Sequence, residues 1–273
     1  MITFTAGGSY VQIDYPEWSF LAKAHLAMSL NSTCNGWDVW DNGIVNDYRT
    51  CEIERLHLNL ISGDTTAKML DDFLLAHRDE TLEMNLPSGS GFFPFGPDKG
   101  DAGNFDVKII ERKFGQYDQF RQYTKSMILL MVTAPVYVLP DIVTQGDFQI
   151  GEIEGLLYPQ LGIDSSREYG IQTGISYGGD AYSVDIRHNI HETSFIQQCN
   201  TSLAAALMNF LCSDLGRYQD ISIVAPGNYY LFDMANGSDG TYTCKLIQDI
   251  VECKHVGNEQ FEIPLKFWMK SAA

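Results

Sequence analysis

Apolar and polar residues alternate along much of this chain. In CEIERLHLNLI, Cys51 to Ile61, the apolar members Ile53, Leu56, Leu58 and Leu60 are separated mostly by charged or polar residues, and YSVDIRHNI, Tyr182 to Ile190, behaves likewise. Successive side chains of a strand point to opposite faces, so a period of two predicts half-buried strands here. SMILLMVTAPVYVLP, Ser126 to Pro140, is more continuously apolar but contains two prolines and falls short of the roughly 20 residues that span a bilayer. It predicts a buried strand.

The period changes in two places. TTAKMLDDFLLAHR, from Thr65, spaces Ala67, Leu70, Phe73, Leu74 and His77 at three and four, and SLAAALMNFLCSDL, from Ser202, does the same with Leu203, Leu207, Phe210 and Leu211. Both predict amphipathic helices. Asp64 stands where an N-cap is needed before the first, and Asn200 or Ser202 before the second.

The two helices belong to a longer correspondence. Phe93, Phe95, Phe105, Lys108 and Ile109 are followed 137 positions later by Tyr230, Phe232, Tyr242, Lys245 and Leu246. MLDDFLL at Met69 to Leu75 meets ALMNFLC at Ala206 to Cys212 at the same offset, while Arg78 meets Arg217, and Pro87 meets Pro226, at 139. Downstream, SMILLMV at Ser126 has a counterpart in FEIPLKFWM at Phe261. Each half reads strand, helix, strand, aromatic loop, strand, spacer, strand. Between the halves, LPDIVTQGDFQIGEIEGLLYPQLGIDSS finds no partner in the comparison, and Pro140 and Pro159 punctuate it as a connector with room for a strand or hairpin.

At 273 residues and 45% hydrophobic content, the chain can bury one large core or two modest ones. No basic start followed by an apolar block opens the N-terminus, so synthesis in a cytoplasm is expected. The six cysteines, Cys34, Cys51, Cys199, Cys212, Cys244 and Cys253, are scattered rather than densely spaced, which predicts reduced, buried thiols. The sequons at Asn31, Asn200 and Asn236 carry no weight as glycosylation sites without a secretory signal.

Several groups invite a chemical reading. GISYG, Gly174 to Gly178, matches the Gly-x-Ser-x-Gly nucleophile elbow, with Asp233 or Asp249 and then His255 in hydrolase order, and would make Ser176 a nucleophile. That motif needs a sharp turn from strand into helix, and here the chain runs on into a strand pattern. His188, His191, Cys253 and His255 are of zinc-binding type, but the first two sit three apart in a predicted strand and point to opposite faces. DKGDAGN, Asp98 to Asn104, lacks the spacing and closing Glu of a calcium-binding EF-hand loop, and Asp71 with Asp72 reads as a solvated helix face. The reading is therefore of no catalytic, cofactor or metal site, and of no enzyme.

The duplicated order of elements, with long loops at Pro87 to Asn104 and Pro226 to Thr241, resembles the tail-tube fold of tailed bacteriophages, which recurs in tube, distal-tail and baseplate-hub proteins. The resemblance implies a mainly β (α+β) chain of two tandem tail-tube-like β-barrel or sandwich modules, each with one packed helix. The first covers residues 1–140. The second covers 141–273 and opens with a connector over about 141–165. It implies a structural virion protein at the distal tail or baseplate, joining tube to tip. Its partners would be copies of itself, as a homotrimer forming a pseudo-hexameric ring or as a hexamer, and other tail proteins. DNA would pass through without specific binding, and no membrane would be entered. The alternatives are a glycan-binding protein using the aromatic loops at Phe92, Phe93, Tyr229 and Tyr230, and the serine hydrolase centred on Ser176.

Charge sharpens one expectation. Residues 1–141 carry a net −8 and residues 142–273 a net −9, for −17 in all. A DNA-gripping protein needs a basic stripe to neutralise phosphates, and none is present. An acidic chain suits a conduit past which DNA slides, with carboxylates from both halves turned to the channel.

Overall fold

The structure, a computed structural model, describes residues 2–13, 20–26, 28–33, 36–41, 48–59, 65–86, 103–117, 122–131, 144–159, 163–175, 178, 181–225, 240–257 and 260–272. The protein is mostly β, built on large antiparallel sheets. A first set of elements runs β1 (Ile2–Ala6), β2 (Ser9–Ile13), β3 (Phe20–His25), β4 (Met28–Thr33), β5 (Gly36–Asp41), β6 (Tyr48–Asn59), α1 (Thr65–Ala76), β7 (Leu82–Leu86), β8 (Gly103–Tyr117) and β9 (Gln122–Met131). A second runs β10 (Phe148–Ile150), β11 (Ile153–Leu156), β12 (Ile163–Ile175), β13 (Ala181–Asn200), α2 (Thr201–Cys212), α3 (Asp214–Tyr218), β14 (Ile221–Ala225), β15 (Gly240–Leu246), β16 (Ile250–Gly257) and β17 (Gln260–Ala272). All but the β4–β5 hairpin, which pairs with itself, join one hydrogen-bonded sheet.

The two sets pair their strands in the same order. The first reads β2-β1-β7-β8-β9-β6-β3, and the second β11-β10-β14-β15-β17-β13-β12. The registers agree residue by residue. Leu82, Met84 and Leu86 face Val107, Phe105 and Gly103, as Ile221, Ile223 and Ala225 face Cys244, Tyr242 and Gly240. Val107 faces Met131, as Cys244 faces Met269. Arg49 then faces Met131 as His191 faces Met269, and Lys23 faces Thr50 as Ser166 faces Glu192. Each helix links equivalent strands, α1 between β6 and β7 and α2 between β13 and β14.

Two expectations are corrected by this pairing. The segment read as a connector with room for a strand or hairpin does hold a hairpin, β10–β11, but it is not without a counterpart: it docks on β14 through Gln149 and Ile150 as the β1–β2 hairpin docks on β7 through Thr3 and Phe4. Phe4 and Ile150 are 146 positions apart, so a comparison held near 137 passes over the match. The second set also carries two helices rather than one. Ser213 divides them because its hydroxyl bonds back to the Phe210 carbonyl at 2.6 Å while accepting from the Gly216 N–H at 3.3 Å, which caps a new turn.

The core follows from alternation. Along β17, Phe261, Ile263, Leu265, Phe267 and Met269 are buried, and the residues between them are partly or fully exposed. Against that face lies α2, apolar enough around its circumference to be almost wholly buried. Asn200 begins it as expected, its Oδ1 accepting from the Leu203 N–H at 3.0 Å; Asp64 lies outside the described residues. Pro264 is unusual in a central strand because it cannot donate to the ladder. It sits near the interruption between β15 and β16, where the Gln248 side chain donates to the Pro264 carbonyl and accepts from the Lys266 N–H at 2.7 Å.

Candidate assembly interface

Among the described residues, those that invited a chemical reading are not brought together. GISYG is followed by strand β13, not by a helix, and the flanking strands are antiparallel with Ile175 opposite Ala181. Ser176 and Asp233 lie outside the described residues; Asp249 is exposed and His255 buried. His191 faces Met269 near one end of β17 and His255 faces Phe261 near the other, eight residues or about 26 Å along the strand. No group of three metal-ligating side chains occurs among the described residues. His188 is placed on β13, without a described side chain.

The remaining candidates are equally plain. Asp72 is exposed and Asp71 partly so on α1. Of the Asp98 to Asn104 loop, only Gly103 and Asn104 are described, and the Asn104 side chain accepts from Asn85 across β7 and β8. Phe92, Phe93, Tyr229 and Tyr230 fall outside the described residues. Cys51, Cys199, Cys212, Cys244 and Cys253 are buried thiols. Burial pushes the Cys199 thiol up to about 12 and raises Cys51, Cys244 and Cys253 as well, which keeps them protonated and unreactive. No described helix is long and apolar enough to cross a membrane.

What the fold does build is a seam. Strand β16 of the second set pairs antiparallel with β3 of the first, placing Val251 opposite Ala24, Glu252 opposite Lys23 and Cys253 opposite Ala22. Ala22, Ala24, Val251 and Cys253 are all buried, so one face of the junction is continuous core. On the other face Lys23 reaches Glu252 at 3.1 Å and Glu52 at 3.6 Å, tying β16, β3 and β6 together. Burial works to lower the Lys23 pKa, but the two carboxylates outweigh it and hold the ammonium above its usual 10.5. Beyond the strand ends, the Leu26 N–H donates to the Asp249 carbonyl at 2.8 Å and Arg217 Nη1 to the Leu26 carbonyl at 3.3 Å. No signal in the sequence pointed to this contact, because strand pairing between distant segments depends on register rather than on residue type.

Among the described residues, the same pairing order leaves two edges without a partner strand. In the second set, β12 holds the place that β3 holds in the first, and among the described residues it pairs with β13 alone. In the first set, the far part of β8 holds the place of β16; past Val107 it pairs with β9 alone among the described residues. Unpaired N–H and C=O rows of this kind are templates for another strand. The open face of the sheet around the seam carries Glu52, Glu192, Glu252 and Glu262 alongside Lys23, Lys254, Lys266 and Lys270. Several are already matched, Lys266 to Glu192 at 2.7 Å and Lys270 to Asp220 at 2.7 Å. A scan against protein-family models and a search of curated proteins returned no match to this chain.

Proposed function

We propose that this protein is a structural ring subunit of a bacteriophage tail, placed at the distal tail or baseplate, where it continues the channel from tube to tip. The observation that carries the reading is the β16–β3 seam, by which two strand sets of one pairing order sit side by side in a single sheet. A chain that repeats a fold and joins its two copies edge to edge already contains one junction of a ring. Three such chains supply six strand sets, which suits a junction between a six-fold tube and a three-fold tip.

Each strand set would be a tail-tube-like module. The open face around the seam would turn toward the channel, lined by lysines held by neighbouring carboxylates rather than by a purely acidic wall. Paired lysines have no charge to spare for phosphate, and the chain's net −17 disfavours DNA retention. The test is antibody labelling of the intact particle. Label at the junction of tube and tip is expected; label on the head, or no label on any virion, would overturn the reading.

A further inference from the structure

Positions equivalent in the two strand sets differ sharply in burial. Ile247 is 5% exposed beside the seam, whereas Ile110, at the same place after β8's pairing with β7, is 55% exposed. Arg217 is partly buried and reaches the Leu26 carbonyl across the seam, whereas Arg78, four residues before β7 as Arg217 is before β14, is 68% exposed and pairs with its neighbour Asp79. On α1, Met69 and Leu75 are more than half exposed, while Ala206 and Cys212 at the same places on α2 are buried. The positions that bury themselves in one set stand bare in the other.

We propose that a second copy of this chain covers them, laying its β12 along the far edge of β8 as β3 lies along β16. This rests on the ring reading above and names the two surfaces that meet. Carrying over the registers, Lys113 takes the place of Glu252 and Ser166 that of Lys23, so these two residues face each other across the junction. Asp164 is exposed on the same side of β12 as Ser166, since strand neighbours two apart share a face. The register thus sets the Lys113 position against the strand that carries Asp164, as it sets Lys23 against Glu252, with the charges exchanged between strands. Arg78 reaches the backbone just after Glu168, Ile110 enters the core of the junction, and Met69 and Leu75 extend its apolar margin. The contact is head to tail: each copy offers β8 on one side and β12 on the other, so copies add in one direction and form a ring where the rotation between them closes, rather than a symmetric pair.

The experiment combines cross-linking with a contrast between equivalent residues. Lys113→Cys with Ser166→Cys in one chain, oxidised at millimolar protein concentration, is expected to give a disulfide-linked closed trimer, while a mixture of the two single variants gives linked species only across the 113 and 166 positions. Ile110→Glu and Arg78→Glu are expected to leave the monomer as stable as the parent and to raise the concentration for half-assembly by at least about tenfold. Ile247→Glu, at the equivalent place, is expected to unfold the chain. Assembly that persists without cross-linking, or that survives Ile110→Glu unchanged, overturns the proposed edges while leaving a ring in place. A chain that stays monomeric alone and with its tail partners overturns the ring itself.

Discussion

His255 shows how residue type and environment part company. An imidazole two positions after a cysteine is a natural metal ligand or base, yet its side chain packs in the core with its ring centroid 5.2 Å from that of Phe261. Burial lowers its pKa below the usual 6.5, because the charged form loses solvation. The unfolded chain therefore takes up a proton near pH 6.5 that the folded chain resists. The histidine's contribution to stability is full above that pH and is lost as the solution is acidified toward the folded value. Urea unfolding at about pH 7.5 and about pH 5.5 should show this loss, and His255→Phe, an apolar ring in an apolar site, should remove its share of the slope. An unchanged slope in the variant would contradict the burial argument. The cysteines follow the same logic: their scatter along the sequence indicated reduced thiols, and the five that are described are buried in the core.

At the scale of elements, periodicity was a good guide wherever one face is buried and the other wet. The alternation at Cys51 to Asn59 and at Tyr182 to Ile190 falls on β6 and β13, and the spacing at three and four falls on α1 and α2. Short elements were less legible. Phe148–Ile150 is three residues long and gives no period to read; its place is fixed by pairing with β14 and by packing of its turn on α2. Gly151 in that turn has φ +58°, and a Cβ there would come within 2.1 Å of the Phe210 ring. Gly8 in the β1–β2 turn also has a positive φ, of +83°, but a Cβ there would meet nothing. Gly151→Ala should thus cost about 2 to 4 kcal/mol, backbone strain plus overpacking, and Gly8→Ala about 1 to 2 kcal/mol from strain alone. Equal losses in denaturant unfolding would mean that the hairpin does not press on α2. The seam was not legible at all. Leu21 to His25 and Ile250 to Lys254 are ordinary strand sequences, and only the register that sets Lys23 against Glu252 makes them partners.

For the whole molecule, the repeat found in the sequence reappears as two strand sets of one order and matching registers, although the aromatic loops that first drew attention to it lie outside the described residues. The loops mark the repeat, but the sheet edges carry the argument for assembly, because open edges on a large antiparallel sheet are either protected or paired. One chain satisfies the junction between its two sets internally, and on the proposed reading the equivalent junction is left to a second copy. The most direct measurement is the mass of the protein in solution by native mass spectrometry, on the chain alone at high concentration. The account predicts a closed species of three copies, each of 30.6 kDa, with no larger homo-oligomer. A ring of six copies of this chain, or a symmetric dimer as the terminal species, would contradict it.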